Sequence, residues 1–428
     1  MVDTKKLSKG ANLAIPILSQ RLIEDVTWYK HLSHDNNDEL RKALHLRIVV
    51  TFSLLELTTI EKAMLATSHA YAKRYHYKNL VANTSECYKV LYHFKGFRKK
   101  SIWTRIEKII PQTKDKSLST KYRHITDALI EFGEKMIDKE LREMTMHYAE
   151  QMITVYQMTV NLNNEDDAVR YFCEFNDILR EMLSFSNELV AIYNHKDYKS
   201  DECYTIKTTL IGDQKFKTFM QVIDSHKTLM DTLQHIIPKG SQELDEMAHQ
   251  ENKIERLRDF IMRQPYMVKD DSLSLIIKFH EIQLLMRFMM LDIAANLEAF
   301  CNSTSSIEAA LNARRFVIPQ VSMLTLLYRY TEDERDKSFW RLVEGLIPKA
   351  MYDLRENIER NINNLLQIIS KPKRHAAVHV YDDKGNNLLP EFIDVLEKMN
   401  YVEELVHIKI VADFYSIFVQ FMVELQPI

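Results

Sequence analysis

The sequence predicts an all-α protein, and three observations carry that prediction. Glycine is scarce, at seven in 428 residues, where a globular chain ordinarily carries about 7%. Proline is scarce too, at nine, while methionine reaches 20, so breakers are few and flexible apolar side chains many. Apolar residues recur at three- and four-residue spacing over long runs. Strand-like alternation is confined to one short stretch, "AVHVYDD" (Ala377 to Asp383). Neither common phosphate-cradling glycine loop is present, which excludes the ordinary doubly wound nucleotide enzymes.

Four segments follow in order. Residues 1–36 form an N-terminal extension, 37–200 a first helical domain, 201–268 a helical middle segment and 269–428 a second helical domain. Leu40 to Tyr75 is one helix-forming run with no breaker. In the middle segment Phe216, Phe219, Val222, Ile223, Leu229 and Leu233 keep helical spacing until Pro238 and Gly240 stop it. Breaks are expected near residues 200, 240 and 265, where polar and turn-forming residues cluster.

The two domains carry an internal repeat. "LYHFKGFRKKSIWTRIEKIIP" (Leu91 to Pro111) aligns with "LYRYTEDERDKSFWRLVEGLIP" (Leu327 to Pro348), the second copy holding one extra residue. Trp103 pairs with Trp340 and Glu107 with Glu344, and both segments close on Ile-Pro. An offset of 237 also pairs Thr58–Met64 with Ala295–Cys301, and Leu162–Val169 with Met399–Val406. Shared helical patterning explains matched apolar positions but not matched tryptophans and prolines. The matched tryptophans are expected to anchor the core of each bundle.

A net charge of −3 gives no broad polyanion-binding surface. Basic and aromatic residues do mix locally in Phe94–Arg105, which could follow an RNA backbone, but the repeat partner is largely acidic. Cys87, Cys173, Cys203 and Cys301 are scattered without a CxxC pair, the pattern of reduced thiols in a cytoplasmic protein. His31 and His34 lack a neighbouring ligand set, so no metal and no cofactor are expected. No signal peptide is expected at the start. No uninterrupted apolar run approaches the roughly 18 residues of a membrane span, so no membrane partner is expected either.

Each domain also holds an arginine followed five residues later by a histidine, after the same aligned block. Arg142 and His147 stand in "LREMTMHY", and Arg374 and His379 in "KPKRHAAVHVYDDKG". The steps lie 232 residues apart, which a shorter connection after Pro348 would absorb. Ser370 and Pro372 suit a helix start. That would set Arg374 near a helix N-terminus, where phosphate is favoured.

On these motifs the chain resembles the HEPN superfamily, all-helical domains marked by an arginine, four to six intervening residues and a histidine. His375 is the polar residue that family favours after the arginine; Glu143 is a less usual occupant of the same place. The resemblance implies two tandem HEPN-like bundles and a metal-independent endoribonuclease. Two motifs would meet in one active site, within the chain or across a homodimer that pairs like with like. Arg142 and Arg374 would hold the scissile phosphate, His147 and His379 would move protons, and Glu143 and His375 would orient neighbours or RNA. The family setting adds a toxin or phage-defence role and a protein partner such as an antitoxin. A reading from another class stands beside it: a non-catalytic helical module that binds RNA or protein through degenerate motifs.

Overall fold

The computed structural model describes residues 4–32, 38–92, 101–110, 117–135, 165–194, 271–328, 338–345, 347–368 and 401–424, with single positions and one short helical stretch between 217 and 263. Among the described residues the secondary structure is almost entirely helix, without strand, as the scarcity of glycine and proline demands. We number the helices α1 (Thr4–His31), α2 (Asp38–Ala66), α3 (Ala70–Leu91), α4 (Ile102–Ile106), α5 (Ser117–Lys135) and α6 (Glu165–Tyr193). There follow α7 (Asp271–Cys301), α8 (Ser306–Leu327), α9 (Phe339–Glu344), α10 (Tyr352–Ile368) and α11 (Tyr401–Glu424).

Helix α2 is the hub of the first half. Its buried residues include runs with no polar face, such as Ile48 to Met64, the signature of a helix enclosed on all sides. Helices α1, α3 and α6 enclose it. Residues 4–31, set apart above as an extension, lie as a helix along α2. Ile15, Leu22, Val26 and Tyr29 enter the first core, and Arg47 clamps the Asp25 carboxylate with two hydrogen bonds. Helix α7 is the corresponding hub of the second half, against α8, α11 and also α3. Outer helices such as α5 and α10 are one-sided: Leu118, Tyr122, Ile125, Leu129 and Phe132 turn inward from α5, and Ile358, Ile362 and Leu365 from α10.

The run from Leu40 to Tyr75 is two helices, which corrects the single helix expected from the absence of breakers. α2 ends at Ala66 and α3 begins at Ala70. The Thr67 hydroxyl accepts a hydrogen bond from the His69 N–H (3.2 Å) and donates to Glu298 Oε2 (2.6 Å). Threonine here offers the backbone a local partner in place of the helical ladder, and its tertiary acceptor makes the exchange worthwhile.

Several matched features of the two halves hold their register. Ser101 and Ser338 each cap a short helix by accepting from the N–H three residues on. Trp103 and Trp340 are fully buried, and each donates its indole N–H to the next long helix, to Thr126 and Glu359. The N-caps of α3 and α8 (His69 and Ser305) and their C-caps (Tyr92 and Tyr328) stand 236 residues apart. The pairing of Thr58–Met64 with Ala295–Cys301 at 237 is therefore one residue off the helical register. A slip of one residue turns a helix by about 100°, which was enough to hide the seam described below.

Gly133 has a packing reason. A Cβ there would overlap the Tyr88 hydroxyl, so the absence of a side chain on α5 lets the α3 tyrosine close against it.

Two helices, Asp38–Ala66 and Glu403–Glu424, are long and apolar enough to cross a membrane by length and composition alone. An uninterrupted-run criterion missed them because a few spaced polar residues interrupt each. The apolar window of the first is 89% buried within the protein and that of the second 44%, so the first spends its apolar surface on the core.

Candidate functional site

Arg142, Glu143 and His147, like Arg374, His375 and His379, lie outside the described residues. By chain position the first motif falls between α5 and α6, and the second between α10 and α11, the matching interval of each half. The "AVHVYDD" stretch and the Ser370–Pro372 helix start fall in the same undescribed interval.

What the structure does build is a buried polar seam between the halves, made by α2 and α3 against α7 and α8. Glu56 Oε1 accepts from Arg314 Nη2 (2.7 Å) and Arg315 Nη2 (2.9 Å). Across the seam, Asp292 faces Lys78 Nζ at 3.6 Å and accepts the Tyr71 hydroxyl hydrogen at 2.7 Å. Asp292 stands 236 residues after Glu56, and Arg314 stands 236 after Lys78. A carboxylate on one half meets a cation on the other, and the same two positions meet again with the halves exchanged. That reciprocity is the arithmetic of a two-fold interface.

The same exchange recurs at the helix ends. Lys62 on α2 bonds the Asn302 carbonyl, the Thr304 hydroxyl and Glu308 in the α7–α8 connection. Glu298, 236 residues after Lys62, bonds Thr67 in the α2–α3 connection. The apolar cores trade residues in the same register. Tyr71 and Tyr75 of α3 enter the second core, while Ile307 and Leu311 of α8, each 236 further on, enter the first.

Burial governs the electrostatics. Asp292 is pushed up to about 6 by burial, against the pull of Lys78 and Tyr71. Burial drives the Lys78 ammonium down, with Asp292 opposing. Lys78 also rests over the rings of Tyr75 and Phe288, at 4.9 and 5.0 Å. For Glu56 burial favours the neutral acid, but Arg314 and Arg315 outweigh it and hold the carboxyl below its ordinary value. Glu61 is pushed up to about 7 by burial, with Arg180 opposing. The only void at the seam's helix ends, bounded by Lys62, Thr67, Glu298 and Glu308, measures about 10 Å³. That is room for one water at most. The seam joins the halves and admits no substrate.

His76 lies within the seam, and burial pushes it down to about 3, helped by Arg315 and opposed by a hydrogen bond to the Ala295 backbone. Its folded pKa is below the unfolded value, so its stabilising contribution is complete above about pH 6.5. It is lost as pH falls toward 3, because only the unfolded chain takes up the proton. His45, at about 4, acts with the same sign. Asp292 and Glu61 act with the opposite sign, their folded values being raised. Wild type and His76→Gln compared by urea unfolding between pH 7 and 4 isolate the one group. The stability gap between them should narrow on acidification by up to about 1.4 kcal/mol per pH unit. A constant gap would mean that His76 is protonated in the fold.

Two open clefts lie away from the seam. One, of about 320 Å³, is bounded by His249, Lys253, His280, Arg287 and the apolar side of α11. The other, of about 260 Å³, lies among α1, α2 and α4.

Motif spacing did not single out the seam residues. The available signal was a lone acid in each apolar helix, "LLELTT" and "MMLDIAA", which pair only at an offset of 236. Comparison with known proteins found no matching family model, no matching curated protein and no matching solved structure.

Proposed function

We propose that the chain arose by duplication of one HEPN-like helical unit and cleaves RNA without a metal, through a composite site of Arg142, His147, Arg374 and His379. The observation that carries the reading is the reciprocal seam. It relates the halves as two copies in a dimer would be related, which is how two such motifs share one site in the family resembled. The two motif segments occupy equivalent intervals of that arrangement, so an exchange of halves exchanges the motifs.

The chemistry uses each residue type for its strength. The RNA 2′-oxygen attacks the adjacent phosphorus; the O2′–P bond forms as the P–O5′ bond breaks. One histidine removes the 2′-proton and the other protonates the departing O5′, leaving a 2′,3′-cyclic phosphate and a 5′-hydroxyl. Histidine titrates near neutrality, so one residue type serves both roles. The arginines present fixed donor forks to the phosphate as its charge grows. Glu143 and His375 would orient these groups. A cytoplasmic toxin or defence effector, with a protein antitoxin as partner, is the setting proposed with this activity.

The test is RNA cleavage by the purified chain in EDTA, wild type against His147→Ala, His379→Ala and the double variant. Cleavage should survive chelation and fall roughly 100-fold or more in each single variant, with the double no worse than the sum of its parts. Loss confined to His379→Ala would make the first half a scaffold. Full activity in the double variant would overturn the assignment. A folded wild type that binds RNA without cutting it would favour the non-catalytic binding module.

A further inference from the structure

The second cleft has an electropositive lining that the proposed cleavage site does not use. Arg41 and Lys42, on the first turn of α2, and Arg105 on α4 supply three cations; Asp38, paired with Lys42, supplies the one carboxylate. Tyr29 of α1 lies between Arg41, whose guanidinium carbon is 5.1 Å from the ring centre, and His45, whose ring centre is at 5.8 Å. Ile102 and Ile106 form the apolar wall. The Arg41 Nε is buried without a hydrogen-bond partner among the described residues, a costly arrangement for a charged donor. His45 is held neutral down to about 4 by burial and then by Arg105 and Arg41, which registers how positive the cleft is.

We propose that this cleft binds a nucleotide phosphate, with Arg41 and Arg105 as its ligands. Two planar donor forks suit a tetrahedral oxyanion with more than one charge, where a lone carboxylate would use only one. Tyr29 braces Arg41 in position. A volume of about 260 Å³ sits just under the usual range for small-molecule sites, enough for a phosphate with its sugar and leaving the base at the rim. The phosphate could belong to a free nucleotide or to RNA. In the second case the cleft would anchor a strand away from the point of cleavage.

Binding, not cleavage, is the readout, so the result is independent of the nuclease assignment. Inorganic phosphate, uridine 5′-monophosphate, uridine and a ten-nucleotide oligouridylate are titrated calorimetrically into His379→Ala protein, and into the same protein carrying Arg41→Gln, Arg41→Lys, Arg105→Gln or Lys121→Gln. The monophosphate and the oligomer should bind where uridine does not, and each Arg→Gln change should weaken binding about tenfold or more. Arg41→Lys keeps the charge and loses the fork, and should also weaken binding; exposed Lys121, paired with Glu188, should not matter. Binding of the oligomer alone assigns the cleft to RNA, and binding of phosphate and monophosphate assigns it to free nucleotides. Absence of binding by all phosphate probes, or binding unchanged in both Arg→Gln variants with folding retained by circular dichroism, overturns the proposal.

Discussion

Glu56→Ala is expected to destabilise the protein by about 3–5 kcal/mol, the cost typical of removing one partner from a buried ion pair. Glu56 is 2% exposed and its two partners, Arg314 and Arg315, 7% and 2%. Without the carboxylate, two guanidiniums remain in a dry seam with like charges side by side. The reciprocal pair supplies the control. Asp292→Leu alone leaves the Lys78 ammonium buried and the Tyr71 hydroxyl without its acceptor. Lys78→Met with Asp292→Leu removes both charges together, and buried pairs replaced by apolar residues of similar volume are often neutral or better. The double variant should therefore be more stable than Asp292→Leu alone, by urea midpoint at an unchanged slope. A Glu56→Ala cost under about 1 kcal/mol would mean that water reaches the seam and that the pairing is not buried in solution.

Trp103→Ala and Trp340→Ala should each cost about 3–5 kcal/mol, the range for deleting a large aromatic from a core. Trp103 stacks on Tyr122, with ring centres 4.8 Å apart and planes 14° from parallel, and leans on Phe185 at 5.2 Å. Trp340 meets Phe421 at 5.5 Å. The richer aromatic contacts place Trp103→Ala at the upper end. Trp103→Phe should cost much less, because the Thr126 hydroxyl that accepts the indole N–H keeps its own bond to the Tyr122 carbonyl. The cores exchange Tyr71 and Tyr75 for Ile307 and Leu311. Damage to either tryptophan should therefore shift one shared urea transition and not split off an unfolding half. Two separated transitions would show that the seam couples the halves weakly.

The seam also bears on how charge is used in this chain. Lys62, Lys78, Arg314 and Arg315 are nearly inaccessible, so they contribute to assembly and leave little positive field at the surface. The basic cleft of Arg41 and Arg105 stands out against that background, in a protein whose net charge of −3 gives RNA no general attraction.

Sequence alone determined the helical class, the short serine-capped helices and the burial of Trp103 and Trp340. These rest on local causes: few breakers, apolar spacing of 3.6 residues per turn, a hydroxyl before a helix and an indole large enough to demand a core. It also marked the Arg142–His147 and Arg374–His379 steps as chemistry-bearing, since that reading needs only residue type and spacing. The tertiary structure decided the rest. Whether Glu56 on an apolar helix is buried depends on Arg314, more than 250 positions away. The break after Ala66 depends on Glu298 taking the Thr67 hydroxyl hydrogen. The cleft exists because α1 brings Tyr29 beside α2 and α4. A charge or a turn is legible from neighbours in the chain only when they supply its partner; here the partners came from the other half of the fold.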